Sequence, residues 1–194
     1  MDIQVQRANL KSRSQRQRIV LLVDMFSRSP TGRGRSMSGA ERDGLDRMLR
    51  EAWGVHVFYA IVDDSELEPS DAASAPDGWA GIAVSSLQPK TFSGSYKLNV
   101  HDLAVVEPYR SRGVGRRNAG EIIGWAACES CHSVTLEVLT ENPAARALYR
   151  SLGFGPTQPV VEEYWVRPCV EADVPSDDHR VGEHPTPPHA SERR

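Results

Sequence analysis

The residues best suited to chemistry lie between Asn99 and Gly155. The stretch Leu103 to Gly115 reads LAVVEPYRSRGVG. Its apolar start predicts a strand that runs out at Val106, a turn through Glu107-Pro108-Tyr109, and a helix opened by Arg110-Ser111-Arg112-Gly113-Val114-Gly115. A helix N-terminus presents unpaired N–H groups and a partial positive charge, and glycines let a phosphate approach the backbone. The spacing is neither that of a Walker loop nor that of the dinucleotide G-x-G-x-x-G. Arg110, placed before the glycines and after a strand, makes the block more specific than Gly-Val-Gly alone. Cys128-Glu129-Ser130-Cys131-His132 fits half a zinc site or a haem-attachment pattern. Cys169 is the one other cysteine, and haem attachment needs export. Trp125 and Cys128, three apart, read more simply as core positions of a helix. His179, His184 and His189 recur every five residues, and an unstructured tail with incidental histidines accounts for them. No metal is expected.

These residues need a frame. Ile3 to Arg7 alternates like a short strand. Ser12 or Ser14 can cap a helix whose apolar positions are Ile19, Leu22, Val23 and Phe26. A Gly/Ser/Arg loop, Ser27 to Gly39, follows. Ser38 with Glu41 forms a capping box for a second helix with Leu45, Met48, Leu49 and Ala52 on its apolar face and Gly54 past its end. Val55–Val62, Trp79–Leu87, Lys97–Val106, Val134–Leu139 and Val160–Val166 read as further strands, with an acidic loop over Asp63–Gly78. Helices are expected over Gly113 to about Cys131 and from Pro143 to about Leu152, the second capped by Asn142 and stopped by Gly153.

The chain has 194 residues, with 39% hydrophobic and 25% charged residues, which excludes collagen, coiled coil and wholesale disorder. It is long enough for one domain with a real core, expected over residues 1–170, with 171–194 as a disordered tail lacking aromatic residues. No stretch is apolar enough to span a membrane, and no secretory signal is visible, so a cytoplasmic location is expected. The three cysteines suit a reducing compartment better than a disulfide framework. Net charge is −3, yet residues 1–50 hold 11 Lys and Arg against 5 Asp and Glu. A nucleic acid could exploit that half; a solvated arginine-rich face is the simpler reading, and no nucleic-acid or membrane partner is expected.

Two blocks together resemble the GNAT superfamily of acyl-CoA-dependent N-acetyltransferases. Arg110, Gly113 and Gly115 match its pyrophosphate loop, Arg/Gln-x-x-Gly-x-Gly/Ala. Downstream, Leu136-Glu137-Val138 followed by Asn142, Ala145, Tyr149, Gly153 and Phe154 match its L-E-V strand and N-x-x-A-x-x-x-Y-x-x-x-G-F block. The chain departs at Glu107-Pro108, where the proline is moved by one, and at Asn118 and Gly120, where the family prefers Leu and Ala.

The resemblance implies an α/β (α+β) fold: a mixed, mostly antiparallel sheet of six or seven strands flanked by helices. It also implies that two parallel neighbours, Asn99–Val106 and Val134–Leu139, splay apart at a bulge to admit acetyl-CoA. Leu103, Ala104 and Val105 would pair with the pantetheine arm through their backbones. Arg110, Ser111, Arg112, Gly113, Val114, Gly115 and Arg116 would hold the pyrophosphate, and Asn142 belongs to the cofactor side. Tyr149 stands where the thiolate's general acid often lies, or else packs on the sheet. Glu137 stands at a position of the base in some members, or else holds a strand partner. His101 shares strand parity with Asn99, Leu103 and Val105 and is a second candidate base, or a hydrogen-bonded strand histidine beside Asp102. The implied substrate is a primary amine of a small molecule or peptide. Acetylation of a protein N-terminus or lysine, and a non-catalytic acyl-CoA sensor, are the alternatives; the chain would act as a monomer or homodimer.

Overall fold

Five strands form one sheet in chain order, β1 (Asp2–Arg7), β2 (Val55–Asp63), β3 (Trp79–Lys90), β4 (Ser95–Val105) and β5 (Ser133–Leu136). The structure is a computed structural model that describes residues 1–63 and 78–156. β1 to β4 pair antiparallel, and β5 joins β4 in parallel. The fold is therefore mixed α/β with a mostly antiparallel sheet flanked by helices. The expected strand Val160–Val166 and the tail lie outside the described residues, as does most of the expected Asp63–Gly78 loop. The compact unit of the described chain is Met1–Phe154.

Local signals set most boundaries. α1 (Arg13–Ser27) starts at Ser12, whose side chain accepts from the Gln15 amide. α2 (Gly39–Glu51) starts at Ser38, and the reciprocal bonds of the Ser38–Glu41 capping box are both formed. Of its expected apolar face Leu49 is buried, whereas Met48 and Ala52 are exposed. The helix lies at the rim of the sheet, so only part of its stripe meets the core. It ends at Ala52, and Gly54 takes φ +77° in the turn into β2. α3 (Val114–Cys128) and α4 (Pro143–Ser151) follow, the latter capped by Asn142 Oδ1 accepting from the Ala145 amide at 3.0 Å.

One sheet face packs Val57, Tyr59, Ile82 and Val84 against Ile19, Leu22 and Leu49 of α1 and α2. The other packs Phe58, Ala83, Leu98 and Val100 against Ile122 and Ala126 of α3. Tyr59 and Trp79 stack at 3.6 Å between ring centres.

α3 faces the sheet with Val114, Asn118, Ile122 and Ala126, and Asn118 is completely buried. Among the described residues no partner bonds either of its amide atoms. A buried polar group without a partner costs about 1–3 kcal/mol. Leucine has the same heavy-atom branching and nothing to satisfy. Asn118→Leu is expected to raise stability by about 1–3 kcal/mol, seen as a higher urea midpoint at unchanged m-value. A lower midpoint would show that the amide has a partner in solution.

Candidate active site

β4 and β5 diverge. Their pairing runs from Lys97–Ser133 to Val100–Leu136 and stops, while β4 continues to Val105. β5 is thus shorter than the expected Val134–Leu139, and Val138 and Leu139 are exposed as the chain leaves the sheet. On its other side β4 stays paired with β3, and Val106 donates to the Ala80 carbonyl at 2.9 Å. Alternation along an antiparallel ladder then turns Leu103 and Val105 toward the open edge and Ala104 toward β3.

The expected bulge is present, and its position alters one expectation. Val84 pairs with Asp102 and Ser85 with Val100, so His101 is the extra residue of β4. A bulge resets alternation. Val100 and Leu103 both join the cluster beneath α3, while Ala104 joins the one beneath α1. The expected parity of His101 with Asn99, Leu103 and Val105 therefore fails: Asn99 lies opposite Ser86, on the α1 side, and Leu103 is on the α3 side.

The fork separates the candidate acid from the candidate bases. Tyr149 stands with Phe154, Ala119, Ile122 and the fork residues Val100, Leu103 and Leu136 in a small apolar pocket on the α3 side. Its ring meets Phe154 edge to face at 5.9 Å. Burial pushes its phenol above the ordinary tyrosine value. On the α1 side, buried Asn99 donates through Nδ2 to Thr135 Oγ1 and Glu137 Oε1, each at 3.1 Å. His101 is exposed, and its Nε2 lies 2.7 Å from Ser86 Oγ. Asp102, beside it, is half-buried, and loss of water raises its carboxyl above the usual range, with His101 opposing the shift. Sequence reading missed Ser86. The pair Ser85-Ser86 in an otherwise apolar strand was a signal, but only the bulge explains the partner.

The loop after β4 forms the anion cradle. Glu107–Tyr109 makes one short 3-10 turn, Ser111 takes φ +59° and Gly113 φ +88°, and the helix begins at Val114 rather than at Gly113. The Arg117 amide bonds the Gly113 carbonyl, leaving the amides of the first turn to face outward. Such a turn running into a helix N-terminus concentrates N–H donors on one concavity. Arg110 Nε donates to the Val105 carbonyl at 3.1 Å, clamping the loop to the open strand edge. Arg116 donates to Ser151 Oγ at 2.6 Å and ties α3 to α4. Gly115 packs under the same edge, where a Cβ would meet Leu148 and Val105 side chains at 3.4 and 3.5 Å.

A cleft of about 920 Å³ runs from this cradle along Ala104–Val106 to the end of α1, where Met25, Phe26 and Arg28 line it with Arg110 and Arg112. The loop after α1 is held by two carboxylates. Asp24, fully buried, accepts from Arg28, from Arg42 at 3.1 Å and from the Met37 amide at 2.6 Å. Glu41 accepts from Arg33 and Arg35, each at 2.8 Å. Together with Arg16–Asp46 and Arg50–Glu51, these pairs engage six of the arginines behind the N-terminal charge excess.

Desolvation alone would raise Asp24, but Arg28, the Met37 amide and Arg42 outweigh it and hold the carboxyl below its ordinary value. A carboxylate held low in the fold gives stability that is complete above its unfolded pKa and lost as pH falls through the folded one. Asp24→Asn is expected to unfold at lower urea than the wild type at neutral pH, and the gap should close below about pH 4. Urea midpoints across that range check the sign; a gap that does not change with pH would remove the charge from the account.

Cys128 is exposed and Cys131 half-buried, its thiol pushed up by burial and by Glu129. Among the described residues no group of three His, Cys, Asp or Glu side chains could share a metal ion. Among them, too, no helix is long and apolar enough to cross a membrane.

A splayed parallel strand pair beside a glycine-bearing helix N-terminus defines a class, and comparison with known proteins agrees. The profile of the Acetyltransferase (GNAT) family matches residues 40–154, and the chain belongs to that family. Over 77 residues, 40% of this chain, it is 43% identical to the uncharacterized protein ML0378 of Mycobacterium leprae, covering 19% of that protein. It is 40% identical, also over 77 residues, to the N-alpha-acetyltransferase RimI of Mycobacterium tuberculosis, covering 44% of it. The match thus spans less than half the length of either relative. Among solved structures, AAC(6')-Iy in complex with a CoA bisubstrate analogue superposes with a TM-score of 0.64 at 15% identity, over 87% of this chain and 100% of that one. That likeness concerns the fold.

Proposed function

We propose that this chain is an N-acetyltransferase that moves an acetyl group from acetyl-CoA to a primary amine of a small molecule or peptide. The observation that carries the reading is the β4–β5 fork, open beyond Val100 and Leu136 and continuous with the amide cradle at Gly113–Arg116. The residues fit the donor: the cradle suits a diphosphate, and the outward groups of Leu103 with the N–H of Val105 suit the amides of a pantetheine arm. Acetyl-CoA supplies an activated thioester. Arg112 and Arg110 add positive charge at the cradle, and Asn142 contributes by holding the start of α4, since its side-chain oxygen serves as the helix cap. The outward N–H of Val105 polarises the acyl carbonyl. His101 or Glu137, on the α1 side, takes the amine proton, and Tyr149, on the α3 side, gives one to the departing sulfur. Placing donor and acceptor groups on opposite sides of the fork keeps the two proton transfers from short-circuiting each other.

The RimI likeness favours a second acceptor, the N-terminal amine of a protein, within the same chemistry. Activity in the cytoplasm, as a monomer or homodimer without nucleic acid, completes the proposal. A thiol-release assay with acetyl-CoA over a panel of amines and N-terminal peptides tests it. Thiol release that depends on one class of amine is expected. Tight acetyl-CoA binding without release on any amine would instead make the chain an acyl-CoA sensor.

A further inference from the structure

His101 and Ser86 are not register partners; Ser86 pairs with Asn99, and the extra residue in β4 brings the imidazole back over β3. Bulges commonly re-aim a side chain beside an active site. The result is a bond of 2.7 Å between Ser86 Oγ and His101 Nε2, with the rest of the ring exposed. We infer that Ser86 is a positioning residue: its oxygen accepts from His101 Nε2–H, fixes that tautomer, and leaves the Nδ1 lone pair to take the proton of the acceptor amine. This rests on the acetyl-transfer reading above.

A base at Nδ1 admits one direction for the bond. A neutral imidazole has one N–H and one lone pair. If the serine hydroxyl donated to Nε2, the proton would sit on Nδ1 and the ring would have no lone pair left for the amine. If serine accepts, Nδ1 is free, and after it gains the proton the same Nε2–H bond persists in the imidazolium. Nothing need reorganise as charge develops, which is the condition for efficient electrostatic support. The nearby carboxylates are engaged differently: Glu137 is bonded by Asn99, and the Asp102 carboxyl is half-buried and has lost part of its water. As the amine nitrogen bonds the acyl carbon and the C–S bond breaks, its proton rests on Nδ1, and the sulfur receives one from Tyr149.

Nitrogen-15 NMR of the imidazoles in wild type, Ser86→Ala and Ser86→Thr, with His101→Gln for assignment, reads the tautomer without any substrate. Steady-state kinetics on one accepted amine complete the test. The wild type should show His101 as the Nε2–H tautomer. Ser86→Ala should show a tautomer mixture and a kcat lowered roughly 10- to 100-fold, less than the 10²–10⁴ lost with a base itself, at unchanged KM for acetyl-CoA. Ser86→Thr should restore both. An Nδ1–H tautomer in the wild type, or a Ser86→Ala kcat equal to wild type, overturns the inference. If no amine is acetylated, the transfer reading fails, and the tautomer alone decides whether Ser86 positions the ring.

Discussion

Tyr149→Phe is expected to lower kcat by roughly 10²–10⁴ while leaving acetyl-CoA affinity near wild type. The phenol faces the fork from α4, among Val100, Leu103 and Leu136. Burial raises it, so it stays protonated throughout the neutral range and is available as a donor. The sign follows: tyrosine ionisation should limit kcat only above the ordinary value of about pH 10. Phenylalanine keeps the ring and its edge-to-face contact with Phe154, so packing should survive. Only the hydroxyl is removed. The effect therefore belongs in kcat and not in the dissociation constant of acetyl-CoA, and measuring both separates an acid from a packing residue. An unchanged kcat would leave Tyr149 a wall of the apolar pocket.

Gly113→Asp is expected to abolish the thermal stabilisation that acetyl-CoA confers, with the chain still folded. Gly113 has φ +88°, a backbone that L side chains rarely adopt. Space itself is no obstacle, since a Cβ there would meet Ile3 only at 4.0 Å. The damage comes from backbone strain in the cradle and from a carboxylate beside the place a diphosphate would occupy. At saturating ligand, roughly 100 times Kd, binding should stabilise the wild type by about 2.7 kcal/mol. Thermal unfolding with and without acetyl-CoA reads the difference. A mutant stabilised as strongly as the wild type would mean that the diphosphate lies elsewhere. Gly113→Ala separates the causes: it keeps the strain without the charge, so a milder loss is expected.

The sequence by itself determined what depends on neighbours a few residues away. The Ser38–Glu41 capping box and the Ser12 and Asn142 caps are local devices, and each stands where its residues indicate. The two blocks, Arg110 to Gly115 and Leu136 to Phe154, also carried the resemblance to the family in their residue types and spacing. Tertiary structure decided what depends on pairing between distant strands. No local rule places an extra residue at His101; that follows from the register of β3 against β4, and it moved Leu103 to the face opposite Asn99. The end of β5 at Leu136 is likewise a matter of divergence from β4, since Glu137, Val138 and Leu139 have strand-compatible residues yet leave the sheet. The arginine excess of the first fifty residues is countable in the chain, but not that Asp24 gathers Arg28 and Arg42 while Glu41 gathers Arg33 and Arg35. Charge can be counted along a chain, but which guanidinium meets which carboxylate depends on what the fold brings within hydrogen-bond reach.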